Sequence, residues 1–296
     1  MSWNSEYDVC CGLENLPVFV ENKINKEDLP QFQYSPEQVP GPGTDTDPSE
    51  VTFPGCGCHA TSCLSGSCTC LKRHGQMYDG NLRLRDQEEN EDYSRPVFEC
   101  NVMCRCSEDC ANRVVQRGLG FRLEVCQTHT KGRGLRTLEP IQKGRFVCEY
   151  AGEVIGFAEA CRRQASQKPE DMNYIIAVKE HTGGGGAIET FVDPARVGNV
   201  GRFLNHSCQP NLFMVPVRVD SLVPRLALFA GRDIASGEEL VFDYSGRYKN
   251  SLGNGQAPST ISAESWMRKP CYCGSQDCCG FLPLDISVIN NGEVSN

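Results

Sequence analysis

The alternation of hydrophobic and polar positions divides the chain into stretches of different kinds. Residues 1–52 are mostly polar and are punctuated by Pro36, Pro40, Gly41, Pro42, Gly43 and Pro48, which predicts an extended arm with few elements of its own. From about residue 118, short runs rich in β-branched and aromatic residues predict strands over 145–150, 153–155, 173–178, 190–192, 211–219 and 225–230. Turn residues separate them, among them Lys143-Gly144 and the glycines at 183–186. One helix is predicted over 157–167, where Phe157, Ala160 and Cys161 share a face at helical spacing. Several short strands with few helices predict a mixed, β-rich α+β fold rather than alternating strands and helices. Two polar stretches, 83–92 and 249–265, read as a solvated loop and a mobile tether.

Composition adds limits. Of 296 residues, 39% are hydrophobic and 23% charged, the balance of a folded chain. No apolar run is long enough to span a bilayer, so no membrane partner is expected. The opening MSWNSEYDVCCGLEN is acidic where a secretory leader would be basic and then apolar, so the chain is expected to stay inside the cell. A formal charge of −9 argues against a surface built on neutralising duplex phosphates, and no sequence-specific DNA binding is expected. A basic partner suits it better.

The nineteen cysteines carry the strongest signal. Five fall as Cys56-x-Cys58-x4-Cys63-x4-Cys68-x-Cys70 and four as Cys100-x3-Cys104-x-Cys106-x3-Cys110. A disulfide framework would need an oxidising compartment, so metal ligation is the preferred reading. Structural zinc takes four ligands in a tetrahedron. Nine sulfurs can therefore serve three zincs if three of them bridge, or two separate sites with one thiol to spare. Spacing leaves both open. A last cluster, Cys271-x-Cys273-x4-Cys278, is one ligand short, and the adjoining Cys279 would crowd the same metal. Cys208, in the polar run Asn205-His206-Ser207-Cys208, is the candidate fourth ligand. Cys126, Cys148 and Cys161 read as core thiols, while Cys10 and Cys11 stay unassigned. Thiolate ligation of four zincs would take the chain to about −14, which favours a cationic peptide substrate further.

Common catalytic signatures are missing: there is no Walker motif, no G-x-S-x-G and no H-E-x-x-H. Lys131-Gly132-Arg133-Gly134-Leu135 is too short for a dinucleotide fingerprint. Two longer segments say more. Arg202-Phe-Leu-Asn205-His206-Ser-Cys208-Gln-Pro210-Asn211 and Glu238-Glu239-Leu240-Val-Phe242-Asp243-Tyr244 resemble the signature segments of SET-domain lysine methyltransferases. The two groups of cysteines resemble the family's pre-SET cluster and post-SET motif, and Glu149-Tyr150-Ala-Gly-Glu153-Val and Asn173-Tyr174-Ile-Ile match the strands between. Stretches such as FPGC, PVFECNVMCRCS, GRFVCEYAGEV and DYSGRY point to one branch of that family.

The resemblance implies a fold of short β-sheets with a pseudoknot, flanked by zinc-bearing segments. It sets expected boundaries: an arm over 1–52, pre-SET over 53–117, SET over 118–248, a linker over 249–266, post-SET over 267–284 and a tail over 285–296. It implies transfer of a methyl group from S-adenosylmethionine to a lysine of the histone H3 tail or nucleosome, with residence in the nucleus on the chromosome. Three zincs would sit on Cys56, Cys58, Cys63, Cys68, Cys70, Cys100, Cys104, Cys106 and Cys110, and one on Cys208, Cys271, Cys273 and Cys278. Tyr244 would be the catalytic tyrosine, with Tyr174 lining cofactor and lysine channel. Phe242 would be the switch position that leaves room for more than one methyl group. Lys131, Gly132, Arg133, Asn205 and His206 would meet the cofactor, with Arg202 and Phe281 as further candidates. Enzymes with this pre-SET arrangement mostly modify lysine nine, whereas the branch points to lysines four and thirty-six. Two alternatives compete: a catalytically idle chromatin-binding module, and a methyltransferase of non-histone proteins.

Overall fold

The computed structural model describes residues 7–59, 61–63, 66–86, 95–168, 171–181, 186–246 and 269–283. The tether expected at 249–266 and the tail at 285–296 lie outside them, as do much of the 83–92 loop and most of the glycine turn. In chain order the strands are β1 (Phe19–Val20), β2 (Gln33–Tyr34), β3 (Val39–Pro40), β4 (Val97–Phe98), β5 (Leu123–Gln127), β6 (Arg133–Thr137) and β7 (Phe146–Glu149). They continue as β8 (Gly152–Ile155), β9 (Ile176–His181), β10 (Ala187–Gly198), β11 (Asn205–His206), β12 (Leu212–Arg218), β13 (Arg225–Ala230) and β14 (Glu239–Phe242). The α-helices are α1 (Thr69–His74) and α2 (Phe157–Ala165).

Three sheets form, ordered β1-β5-β6-β14-β11, β2-β10-β8-β3 with β9 added on β10, and β4-β12-β13-β7. The four short strands β1 to β4 each join as a parallel edge, on β5, β10, β8 and β12 respectively. The arm thus has few elements of its own, and those it has cover sheet edges built by later strands, where unpaired backbone groups would otherwise face outward.

Several strands differ from expectation for identifiable reasons. The strand expected at 173–178 begins only at Ile176, because the Asn173 side chain accepts a hydrogen bond from the Ile175 backbone N–H at 3.1 Å and turns the chain. The one expected at 190–192 runs through twelve residues, since the ladder to β8 shifts register between Asp193 and Gly198 and carries the strand past Pro194. Strands β5 and β6 were not expected at all. In β5 the nearly buried Glu124 faces Arg136 of β6 in register, with a 2.5 Å ion pair, and that internal charge pair hides the hydropathy pattern. Helix α2 forms close to where it was expected but with a different inner face: Ala160 and Arg163 are buried, whereas Phe157 is exposed. Glu153, Glu159 and Asp193 each hold the Arg163 guanidinium at 2.7 Å, and three carboxylates are sufficient to bring a cation inward.

The main core joins the arm to the later sheets, packing Val18 and Val20 with Leu123, Leu135, Val147, Tyr150, Leu204, Leu240 and Phe242. A second core gathers Tyr78, Val97, Phe146, Val217 and Phe229 beneath the third sheet. The third cluster is the nine cysteines with Leu71, consistent with a segment that folds around metal rather than aliphatic side chains. Cys148 is fully buried in the main core, Cys126 is buried and Cys161 half-buried, and none of the three falls in a metal-ligand group among the described residues. Cys10 is also in the core, its thiol donating to Asp8 Oδ1 at 2.6 Å.

The two signature segments interlock. Strand β11 lies parallel to β14, pairing Asn205 with Val241 and His206 with Phe242. Asn211 locks the crossing: its amide nitrogen donates to the Glu239 carbonyl at 2.8 Å and its Oδ1 accepts from Val241 N–H at 2.9 Å. General rules discourage such a crossing, and only the family resemblance gave notice of it.

Candidate active site and metal centres

The nine clustered sulfurs form four overlapping groups of four, each with its sulfurs within 4.8 Å of one another. They are Cys56-Cys58-Cys63-Cys68, Cys63-Cys100-Cys106-Cys110, Cys56-Cys68-Cys70-Cys100 and Cys56-Cys100-Cys104-Cys106. No two of these groups are disjoint, so among the described residues the arrangement with two separate sites and a spare thiol finds no support. Cys56–Cys63, Cys63–Cys100 and Cys70–Cys104 sulfurs stand 3.7 Å apart. A tetrahedron with zinc–sulfur bonds of about 2.3 Å has edges of about 3.8 Å, so the spacing fits zinc. Backbone N–H groups of Cys56 and Cys63 point at the sulfurs of Cys104 and Cys110 at 3.2 and 3.3 Å, as they do toward ligating thiolates. Burial first, and then the neighbouring cysteine sulfurs, push the Cys63 and Cys70 thiols well up, so packed thiolates here need a cation to neutralise them.

A fifth group joins Cys208, from the segment after β11, to Cys271, Cys273 and Cys278. Residues 269–282 make a small hairpin, with Cys271 N–H donating to Gly280 and Leu282 N–H to Lys269. The hairpin is tied back to the sheet core where the Cys279 N–H approaches Cys208 Sγ at 3.4 Å and Gln209 donates to Asp277 at 2.9 Å. Thr130 also donates to the Tyr272 carbonyl at 3.3 Å.

Between this hairpin, α2, β9 and the β5–β6 turn lies a cavity of about 1420 Å³. Tyr244, Tyr174, Tyr150, Asn205, Arg202 and the Lys131-Gly132-Arg133 turn line it. The Tyr244 hydroxyl donates to the Leu204 carbonyl at 2.8 Å, and the Tyr150 hydroxyl to the Tyr174 carbonyl at 2.6 Å. Burial, followed by neighbouring phenols and charges, raises both hydroxyls above the ordinary phenol range, so both stay protonated at neutral pH. The turn closes the β5–β6 hairpin, with Thr128 N–H donating to the Gly132 carbonyl at 2.8 Å. Gly132 sits there at φ +72°, a conformation that suits glycine. At Gly134 a Cβ would come within 2.6 Å of the Thr128 side chain and 3.2 Å of the Asn205 amide nitrogen, which donates to the Arg133 carbonyl at 2.9 Å. Lys131 pairs with Glu239 at 2.8 Å. Arg133 donates to the Asp28 carbonyl, while its Nε is buried without a partner.

Three of the expected residues are not in the cavity wall. His206 is buried behind it, accepting from the Tyr244 N–H through Nδ1 at 3.2 Å while Nε2 faces Cys208 Sγ at 3.4 Å. It thereby links the tyrosine to a candidate metal ligand. Phe281 is exposed on the hairpin, and its neighbours Leu282 and Pro283 line the cavity instead. Phe242 packs behind, its ring centre 4.9 Å from Tyr244 and 5.9 Å from Tyr150. Sequence reasoning overlooked Tyr150 as a wall residue, although it stands in the EYAGEV run. It also overlooked Asp28, Leu29 and Pro30 of the arm, for which no local signal exists.

Comparison with known proteins agrees with this architecture. A SET domain model matches residues 132–245 and a pre-SET motif model residues 10–113. Histone-lysine N-methyltransferase SETMAR of Rattus norvegicus is 56% identical over 283 residues, covering 96% of this chain and 89% of the relative. The crystal structure of the methyltransferase domain of human SETMAR superposes with a TM-score of 0.80 at 55% identity, covering 94% of this chain and 98% of that one. KRYPTONITE, solved in complex with mCHH DNA, H3(1-15) peptide and SAH, gives 0.68 at 29% identity over 93% of this chain and 53% of its own. SETMAR is the branch to which the stretches FPGC, PVFECNVMCRCS, GRFVCEYAGEV and DYSGRY point. With its interlocked signature segments, its cysteine clusters and these matches, the chain belongs to the SET-domain family of histone-lysine N-methyltransferases.

Proposed function

We propose that the chain methylates a lysine of the histone H3 tail, using S-adenosylmethionine held by the β5–β6 turn, Asn205 and Tyr174, beside a channel walled by Tyr244 and Tyr150 and backed by Phe242. S-adenosylmethionine supplies a sulfonium-activated methyl group: the amine lone pair forms the new C–N bond as the C–S bond breaks, its electrons remain on sulfur, and the amine later releases a proton to water. The observation that carries this reading is one cavity in which the hydroxyl of Tyr244 shares a wall with a glycine-bearing cationic turn. The orphaned Arg133 Nε fits the carboxylate end of the cofactor.

A free lysine must lose a proton first, which at pH 7 costs about 4.6 kcal/mol from its ordinary pKa. Tyr244 and Tyr150 are themselves protonated, so neither serves as the base. Their hydroxyls and the Leu204 and Tyr174 carbonyls instead give the neutral amine a fixed polar frame, while the enclosing rings disfavour the ammonium. A phenylalanine at 242 leaves space for a methylated amine, so we assign the enzyme capacity beyond monomethylation. The metal reading draws on the overlapping groups: three zincs with Cys56, Cys63 and Cys100 as the shared sulfurs, and a fourth on Cys208, Cys271, Cys273 and Cys278. Under this reading the enzyme works in the nucleus, on chromatin. Incubation with radiolabelled S-adenosylmethionine and histones tests it. Wild type labels H3 and Tyr244→Phe does not, at unchanged zinc content. Label confined to non-histone peptides would remove the histone substrate, and no label anywhere would leave the idle module standing.

A further inference from the structure

The arm enters the proposed cofactor wall, and one of its rings is placed to act there. Pairing of β2 with β10, Gln33 opposite Val197 and Tyr34 opposite Gly198, fixes the arm beside the cavity. Phe32 then lies with its ring centre 6.0 Å from that of Phe203. The guanidinium carbon of Arg202 is 4.1 Å from the Phe32 ring centre and 4.8 Å from that of Tyr174. Arg202 is only 7% exposed, forms no ion pair among the described residues, and donates through Nε to the Pro194 carbonyl at 3.2 Å. Its buried charge is met chiefly by ring faces. The same arm supplies the Asp28 carbonyl that accepts from Arg133.

Resting on the methyltransferase reading above, we infer that Phe32 is a positioning residue for the cofactor: its ring holds the Arg202 guanidinium against Tyr174, and so fixes the wall that Tyr174 and Arg133 present to S-adenosylmethionine. The contact joins residues far apart in sequence: Arg202 and Tyr174 lie within the segment matched by the SET model, whereas Phe32 lies outside it, in the segment matched by the pre-SET model. What Phe32 contributes is a π face, not bulk alone, and that distinction can be measured.

The test uses the whole chain in three forms: wild type, Phe32→Leu, which keeps apolar volume without a ring, and Phe32→Tyr, which keeps the ring. Two readouts are taken, the affinity for S-adenosylhomocysteine by calorimetry and the separate KM values for S-adenosylmethionine and peptide. Zinc content and melting temperature serve as controls. Phe32→Leu is expected to weaken S-adenosylhomocysteine binding and raise the cofactor KM by about tenfold, with peptide KM unchanged. Phe32→Tyr is expected to stay within about twofold of wild type on both. Equal binding by Phe32→Leu and wild type overturns the inference, as does equal impairment of the Leu and Tyr variants. If wild type binds S-adenosylhomocysteine yet methylates no histone, the substrate reading fails while the binding comparison still judges Phe32. Wild type that binds no S-adenosylhomocysteine overturns both.

Discussion

Replacing one sulfur at a time separates shared ligands from unshared ones. Cys100 and Cys110 are matched for the purpose, both fully buried, but Cys100 occurs in three of the four groups and Cys110 in one. A structural zinc contributes roughly 10–16 kcal/mol across its four ligands, or about 2.5–4 kcal/mol per zinc–sulfur contact. Cys110→Ser removes one such contact. Cys100→Ser removes two, about 5–8 kcal/mol, which rivals the entire stability of an ordinary domain. Metal analysis of the purified protein should find four zincs per chain in wild type. Cys110→Ser should remain folded and lose at most one, whereas Cys100→Ser should lose at least two and unfold without added denaturant. Equal zinc loss in the two variants, or a wild-type count that fits two separate four-thiolate sites, would refute the shared-sulfur arrangement.

Two further predictions concern single side chains. Phe242→Tyr places a hydroxyl between Tyr150 and Tyr244, so mass spectrometry of the peptide product should show a shift from higher methylation states to monomethyl; an unchanged product distribution sinks the switch assignment. Burial raises the Glu149 carboxyl to about 7, outweighing the Arg225 guanidinium 3.6 Å away. Because the folded pKa lies above the unfolded one, the stabilisation is complete below the unfolded value and is lost as pH rises through about 7. From about pH 6 to pH 8, wild type should therefore lose stability relative to Glu149→Gln, a difference that melting curves at several pH values would show or exclude.

What the sequence revealed and what it concealed divide along local and non-local lines. Ligand spacing is local, so thirteen cysteines could be sorted into metal candidates from the chain alone, and the described sulfurs do group that way. Which of them are shared depends on the folding of 56–70 against 100–110, and no spacing rule contains it. The strand β13 was legible because its buried run is uninterrupted; β5 and β6 were not, because the buried Glu124, paired with the half-buried Arg136, puts charge where hydropathy expects none. Tyr244 and Asn205 stand out through their motifs. The places of Phe32 and Tyr150 beside the cavity are not legible in the same way, since they depend on Arg202, 170 residues from Phe32, and on Tyr174, 24 residues from Tyr150.

Charge is the property whose meaning changes most between chain and cavity. A net −9 suggests attraction of a basic tail, and at distances up to about a Debye length, about 8–10 Å, that argument holds for encounter. The cavity carries the opposite sign: Lys131, Arg133, Arg162, Lys168, Arg202 and Lys269 line it, against Asp28 alone among the described residues. Glu239 and Glu159 neutralise Lys131 and Arg162 from outside the wall, which leaves the lining cationic. In the proposed reaction this inversion is useful. Cations beside the channel disfavour a protonated lysine, as does the sulfonium donor, and so help the amine to reach the neutral form that can attack. An acidic exterior can therefore gather a basic tail, while a cationic interior selects the one protonation state of its lysine that reacts.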